Sequence, residues 1–126
     1  MKLSDYVIQF LKDEYKVDIV FTLCGAGCMH LLDSLGRIEG INYIANHHEQ
    51  ACALAAEGYA RINNRLGACV VTTGPGGTNA MTGTLCSWQD SIPVIVVSGQ
   101  VNRPMTTNFT GLRMRQLGDQ EFDIVE

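Results

Sequence analysis

The sequence predicts an α/β fold, a parallel sheet with helices on both faces in three layers, and three observations lead there. Short apolar runs alternate with segments of helical periodicity up to about residue 99. Each run ends in a short turn, and three of the four turns contain glycine. The last run, Pro93-Val94-Ile95-Val96-Val97-Ser98, is apolar at odd and even positions alike, as a strand covered on both faces requires. Strands and helices that alternate through short turns build a parallel sheet between helical layers.

Leu3, Tyr6, Val7, Phe10 and Leu11 recur at helical spacing, with Ser4 as the candidate cap, and predict a first helix reaching about residue 15. Asp18-Ile19-Val20-Phe21-Thr22-Leu23 reads as a buried strand, and Gly25-Ala26-Gly27 turns it into a helix with Cys28, Leu31, Leu32 and Leu35 on one face. Ile41-Asn42-Tyr43-Ile44-Ala45 is a second strand. The alanine-rich stretch at residues 49–63 has the strongest helix propensity in the chain. Ala68-Cys69-Val70-Val71-Thr72 is a third strand, followed by the loop Thr73-Gly74-Pro75-Gly76-Gly77-Thr78-Asn79. A further helix is marked by Met81, Leu85 and Trp88, expected as core residues, and the fourth strand is the run at residues 93–98. Residues 103–120 are polar and without period, which predicts a long loop.

At 126 residues the chain fits one domain. The net charge of -4 is scattered, without the basic stripe that phosphate backbones demand, so nucleic acid is not an expected partner. No apolar run approaches the roughly 18 residues of a membrane span, and residues 1–5 lack the apolar core of a secretion signal, so a cytoplasmic protein is expected. Five cysteines at 24, 28, 52, 69 and 86 form no framework, which suits free, mostly buried thiols. With His30, His47 and His48 they provide metal-ligand types, but no pair has zinc-knuckle spacing, and no metal is expected on this chain.

In open parallel sheets ligands gather beyond the carboxyl ends of the strands, where the turns also aim helix amino termini. All four turns lie there: Gly25-Ala26-Gly27, Asn46-His47-His48-Glu49, Gly74-Pro75-Gly76-Gly77 and Ser98-Gly99-Gln100. Glu49 falls on the helical face of Cys52, Ala53, Ala56 and Ala60, whereas Gln50, Glu57, Arg61 and Asn64 fall on a wetter stripe. A carboxylate on a small, apolar face needs a partner. It is either a working acid or a first-turn residue favoured by the helix dipole. His47 and His48 stand between an acid-base role and a turn role. Gly74-Pro75-Gly76-Gly77 could cradle an anion, but no Gly-Lys-Ser/Thr follows, and Gly25-Ala26-Gly27-Cys28-Met29-His30 misses the dinucleotide fingerprint.

The order of these segments is more specific than any one of them. His48-Glu49-Gln50, then Ala55-Ala56-Glu57-Gly58-Tyr59-Ala60-Arg61, then the glycine loop at 73–79, then Asp90-Ser91-Ile92-Pro93-Val94 and Ser98-Gly99-Gln100, resembles the amino-terminal pyrimidine-binding domain of acetolactate synthase-like thiamine diphosphate enzymes. Gln120-Glu121-Phe122-Asp123-Ile124-Val125 resembles that domain's end. The likeness covers residues 1–126 and departs at the first turn, where Phe21-Thr22-Leu23-Cys24-Gly25 replaces the usual Phe-Gly-x-Pro-Gly.

The resemblance implies a 2-keto acid decarboxylase or carboligase in which Glu49 hydrogen-bonds N1' of the cofactor's aminopyrimidine and so activates it. It also places Gly25, Ala26, Thr73, Gly74, Pro75 and Asn79 against the cofactor, and His48, Gln100 and Gln120 in the substrate pocket. In the family, magnesium and the diphosphate sit on a separate domain through a Gly-Asp-Gly motif. Gly118-Asp119-Gln120 lacks its last glycine, so that domain is expected to be absent from this chain and supplied by a partner domain or subunit. A homo-oligomer, dimer or tetramer, is implied. FAD occurs in some relatives, but no residue here supports it. The alternative is a non-catalytic binding or assembly module that retains the fold.

Overall fold

The computed structural model describes residues 1–112. Its elements run in the order α1 (Leu3–Asp13), β1 (Ile19–Thr22), α2 (Met29–Arg37), β2 (Asn42–Ala45), α3 (Glu49–Asn63), β3 (Gly67–Val71), α4 (Pro75–Gln89), β4 (Val94–Ser98) and the single turn α5 (Thr107–Thr110). Turns of 3-10 helix at Ala26–Cys28 and Arg103–Met105 precede α2 and α5. The strands form one parallel sheet in the order β2-β1-β3-β4, with Phe21 beside both Ile44 and Cys69, and Val71 beside Ser98.

Alternate strand residues feed two separate cores, and this makes the three layers. Val20, Ala68 and Val70 point to one face, where Ile8 and Leu11 of α1 and Leu35 of α2 cover them. Phe21, Cys69 and Val71 point to the other, beneath Cys52, Ala53 and Ala56 of α3 and Ala80 of α4. In β4, Ile95 and Val97 join the first core, and Val94 and Val96 the second. Its uniform apolarity therefore serves both faces, although the strand lies at one side of the described sheet and stays half-buried.

Four expectations need correction. Ser4 does not cap α1: Lys2 holds the N-cap position, and the Ser4 hydroxyl, one residue into the helix, instead accepts a hydrogen bond from Ser34 Oγ at 2.9 Å. Most of the segment 73–79 is helix, because Gly74 at φ 62° turns the chain and Pro75 opens α4 with its φ already helical. Glu57 is buried rather than on a wet stripe, since α4 covers it. Met81, Leu85 and Trp88 are outward on α4 at 63%, 52% and 77% exposure, because the small residues Gly76, Gly77, Ala80 and Gly83 take the packing side. The described part of the segment 103–120 holds α5 and its preceding turn within otherwise irregular chain. Among the described residues, no helix is long and apolar enough to cross a membrane.

Candidate functional site

The switch in strand order falls at β1 and β3, the two central strands, and the turns beyond their carboxyl ends interlock. Thr72, which follows β3, is the hub. Its Oγ1 accepts a hydrogen bond from Gly27 N at 3.0 Å, tying the first turn to the third. A methyl group at Gly25 would lie 2.5 Å from Thr72 Cβ, and one at Gly76 only 2.6 Å from Thr72 Cγ2. Bare glycines thus let two turns close on one threonine side chain. Thr73 is buried beside them, and a methyl at Gly27 would lie 2.8 Å from its Cγ2. The fourth turn fits against the first, where a methyl at Gly99 would meet Gly27 O at 2.3 Å. Gln100 Oε1 accepts from Val101 N at 2.9 Å and from Thr73 Oγ1 at 3.5 Å.

The second turn contributes Glu49, the first residue of α3, at 9% exposure. Asn79 Nδ2 donates to its Oε2 at 3.0 Å, and the methyl that Gly76 lacks would lie 3.5 Å from its Oε1. The carboxyl is therefore fixed by an amide on one oxygen and bordered by open glycine backbone at the other. Its position in the first turn sets it at the positive end of the α3 dipole. Beneath it lie Cys52 and Cys69, fully buried. Burial pushes the Cys69 thiol up to about 12 and raises that of Cys52, and the nearby Glu49 carboxylate adds to both shifts.

Of the residues singled out in the sequence, Glu49, Asn79, Gly74, Pro75, Thr73, Gly25 and Gln100 gather at this end of the sheet. Ala26 is exposed in the 3-10 turn after Gly25. His48 is exposed and caps α3, its Nδ1 accepting from Gln50 N at 3.1 Å, so that nitrogen serves the helix. His47 is exposed beside it. Gln120 and the motif at 120–125 lie outside the described residues. Sequence reasoning missed Thr72. The available signal was a β-branched hydroxyl residue at the end of a buried strand, directly before the glycine turn. Among the described residues, no three His, Cys, Asp or Glu side chains gather as metal ligands.

Comparison with known proteins identifies the family. Residues 1–126 match the family described as thiamine pyrophosphate enzyme, N-terminal TPP binding domain. The acetolactate synthase large subunit of Haemophilus influenzae is 42% identical over 98 residues, 78% of this chain and 17% of that protein. The large subunit from Lactococcus lactis is 44% identical with the same coverage. The isozyme 3 large subunit of Escherichia coli is 40% identical over 98 residues, again 78% of this chain and 17% of that protein. The chain thus spans 17% of the length of these curated relatives.

Proposed function

Because the chain belongs to the thiamine pyrophosphate enzyme family as an N-terminal TPP binding domain, we propose that it supplies the acid that activates the cofactor in an acetolactate synthase-like decarboxylase or carboligase. The single observation that carries this reading is Glu49, a carboxyl buried at the carboxyl ends of the strands, clamped by Asn79 and flanked by bare backbone at Gly76.

The residues present fit an aminopyrimidine ring. A flat heterocycle needs to approach the acid closely, and the bare backbone at Gly76 borders it, whereas a side chain there would clash with Thr72 at 2.6 Å and fill the space 3.5 Å from Glu49 Oε1. Gly25, Ala26, Thr73, Pro75 and Asn79 complete the wall on this reading. Thiamine diphosphate, when bound, supplies the electron sink that lets a 2-keto acid lose carbon dioxide. Glu49 contributes a carboxyl oxygen that holds a proton against a ring nitrogen, while Asn79 keeps the carboxyl from rotating away. The apolar floor of Cys52 and Cys69 excludes water from that proton. On this reading Gln100, which accepts from Thr73, and His48, whose Nδ1 caps α3, belong to the substrate pocket. Gln120 is assigned to the same pocket on the family resemblance alone.

Magnesium and the diphosphate belong, on this reading, to a partner domain or subunit, within an oligomer. The outward stripe of Met81, Leu85 and Trp88 supports a partner, since it runs along the same helix that carries Asn79. The test is to combine the chain with a diphosphate-binding domain, thiamine diphosphate, magnesium and a 2-keto acid. Decarboxylation is expected, and Glu49→Gln is expected to lower its rate by about 10²–10⁴-fold, the usual share of a positioned acid or base. Full activity of that variant would remove Glu49 from the role.

A further inference from the structure

Glu49 stands on the first rung of a longer seam between α3 and α4. Asn79 meets Glu49, Gly83 meets Ala53, and Ser87 meets Glu57, so every rung has a sequence offset of 30. Equal steps of four residues on each side mean that the helices run parallel in one fixed register. The middle rung is a close approach: a methyl at Gly83 would lie 2.6 Å from Ala53 Cβ. Such a contact of small apolar groups sets the distance between the helices but is non-directional along their axes.

The third rung is directional. Glu57 is 7% exposed and lies two helical turns, about 12 Å, from Glu49. Its Oε2 lies 3.2 Å from Ser87 Oγ, whose single proton is shared between this carboxylate and Gly83 O at 3.0 Å, and its Oε1 accepts from Arg61 Nε at 2.9 Å and Nη2 at 2.6 Å. Arg61 Nη2 also donates to Asp90, just past the end of α4. A buried carboxylate with three donors, one of them on the facing helix, is costly to disturb. A slip of one residue, about 1.5 Å with a rotation of about 100°, would take Ser87 off Glu57 and Asn79 off Glu49 together.

We propose that Glu57 and Ser87 are positioning residues for Glu49: their clasp sets the register of α4 on α3 and so keeps the Asn79 amide on the Glu49 carboxyl. The functional weight of this inference rests on the reading of Glu49 given above, but its test needs no cofactor and no turnover, so the two fail separately.

The measurement is the nuclear magnetic resonance shift of the Asn79 side-chain amide in the full 126-residue chain. Its change on Glu49→Gln reports the contact between the two. In Ser87→Ala and Glu57→Ala backgrounds that change is expected to shrink by more than half. Glu57→Gln, which keeps an acceptor for Ser87, is expected to restore most of it. If Glu57→Ala does not fold, Ser87→Ala, which loses one hydroxyl, decides alone. A purely stabilising clasp would lower the unfolding midpoint of folded Ser87→Ala and leave the Asn79 signature at its wild-type size, and that result overturns the proposal.

Discussion

At the scale of single residues, the site depends on groups whose neighbours are all short. Thr72 accepts a backbone hydrogen bond and meets two glycines, while Glu49 has only Asn79 as its side-chain donor among the described residues. The cysteines show how strongly position alone sets chemistry. Cys24 is exposed in the first turn, whereas Cys28, Cys52 and Cys69 are buried with thiols raised chiefly by burial. A thiol reagent acts on the thiolate, so Cys24 is expected to react first at pH 8. Cys52 and Cys69 are expected to react on the order of a thousandfold more slowly, because access requires opening a core worth a large part of the usual ~5–15 kcal/mol. Mass spectrometry of timed samples checks this, and equal labelling of Cys24 and Cys69 would contradict the packing described.

At the scale of elements, α1 is pinned to α2 by charge. Lys2 Nζ and Arg37 Nη2 both donate to Asp33 Oδ2, at 2.9 and 3.0 Å, and Arg37 Nη2 reaches Asp5 Oδ1 at 2.8 Å. The hydrogen bonds from Arg37, then Lys2, hold Asp33 from the ordinary 3.8 down to about 2. Asp5 is lowered first by the Ser34 hydroxyl; burial opposes this next, and Arg37 adds further lowering. Folded values below the unfolded ones mean that this stabilisation is complete above pH about 4 and is lost as pH falls from 3.8 through about 2. Arg37→Gln is therefore expected to lower the unfolding temperature at pH 6 by a small amount, since the groups are exposed, and to leave it unchanged near pH 1, below the folded value of Asp33. Thermal melts by circular dichroism decide it, and an equal deficit at both pH values would refute the linkage. Most of these elements were legible in the sequence, because helical and strand periods are local. The start of α4 was not: Gly74-Pro75-Gly76-Gly77 is loop-like in composition, yet Gly74 at positive φ, Pro75 at the first helical position and close packing on Thr72 make it a helix entry.

At the scale of the whole molecule, both helix layers expose apolar side chains, Leu3, Tyr6 and Phe10 on α1 and a longer stripe on α4, and the α4 stripe is the one that shares a helix with Asn79. The α1 and α2 layer has its own ion pairs, whereas α4 turns Met81, Leu85 and Trp88 outward, with Leu54 of α3 also exposed. Apolar residues at i, i+4 and i+7 on a surface helix mark an interaction face. Leu85→Glu is expected to change the stability of the chain by no more than about 0.5 kcal/mol, as surface substitutions do, while abolishing complementation by a diphosphate-binding domain. Unimpaired complementation by the folded variant would remove this face from the proposed interface.

The sequence by itself determined the alternation of strands and helices, the turns at one end of the sheet, and the placement of Glu49 on the small-residue face of its helix. These follow from periods of two and 3.6 residues and from glycine, whose effects are local. Only the tertiary structure decided that Asn79 is the partner of Glu49, that Glu57 is buried against Ser87, and that Trp88 faces outward. The physical reason is common to all three. A helical period says which residues share a face, but which face is buried depends on the neighbour packed against it. For α3 and α4 that choice was made by the small residues Ala53 and Gly83, which let the two helices come together.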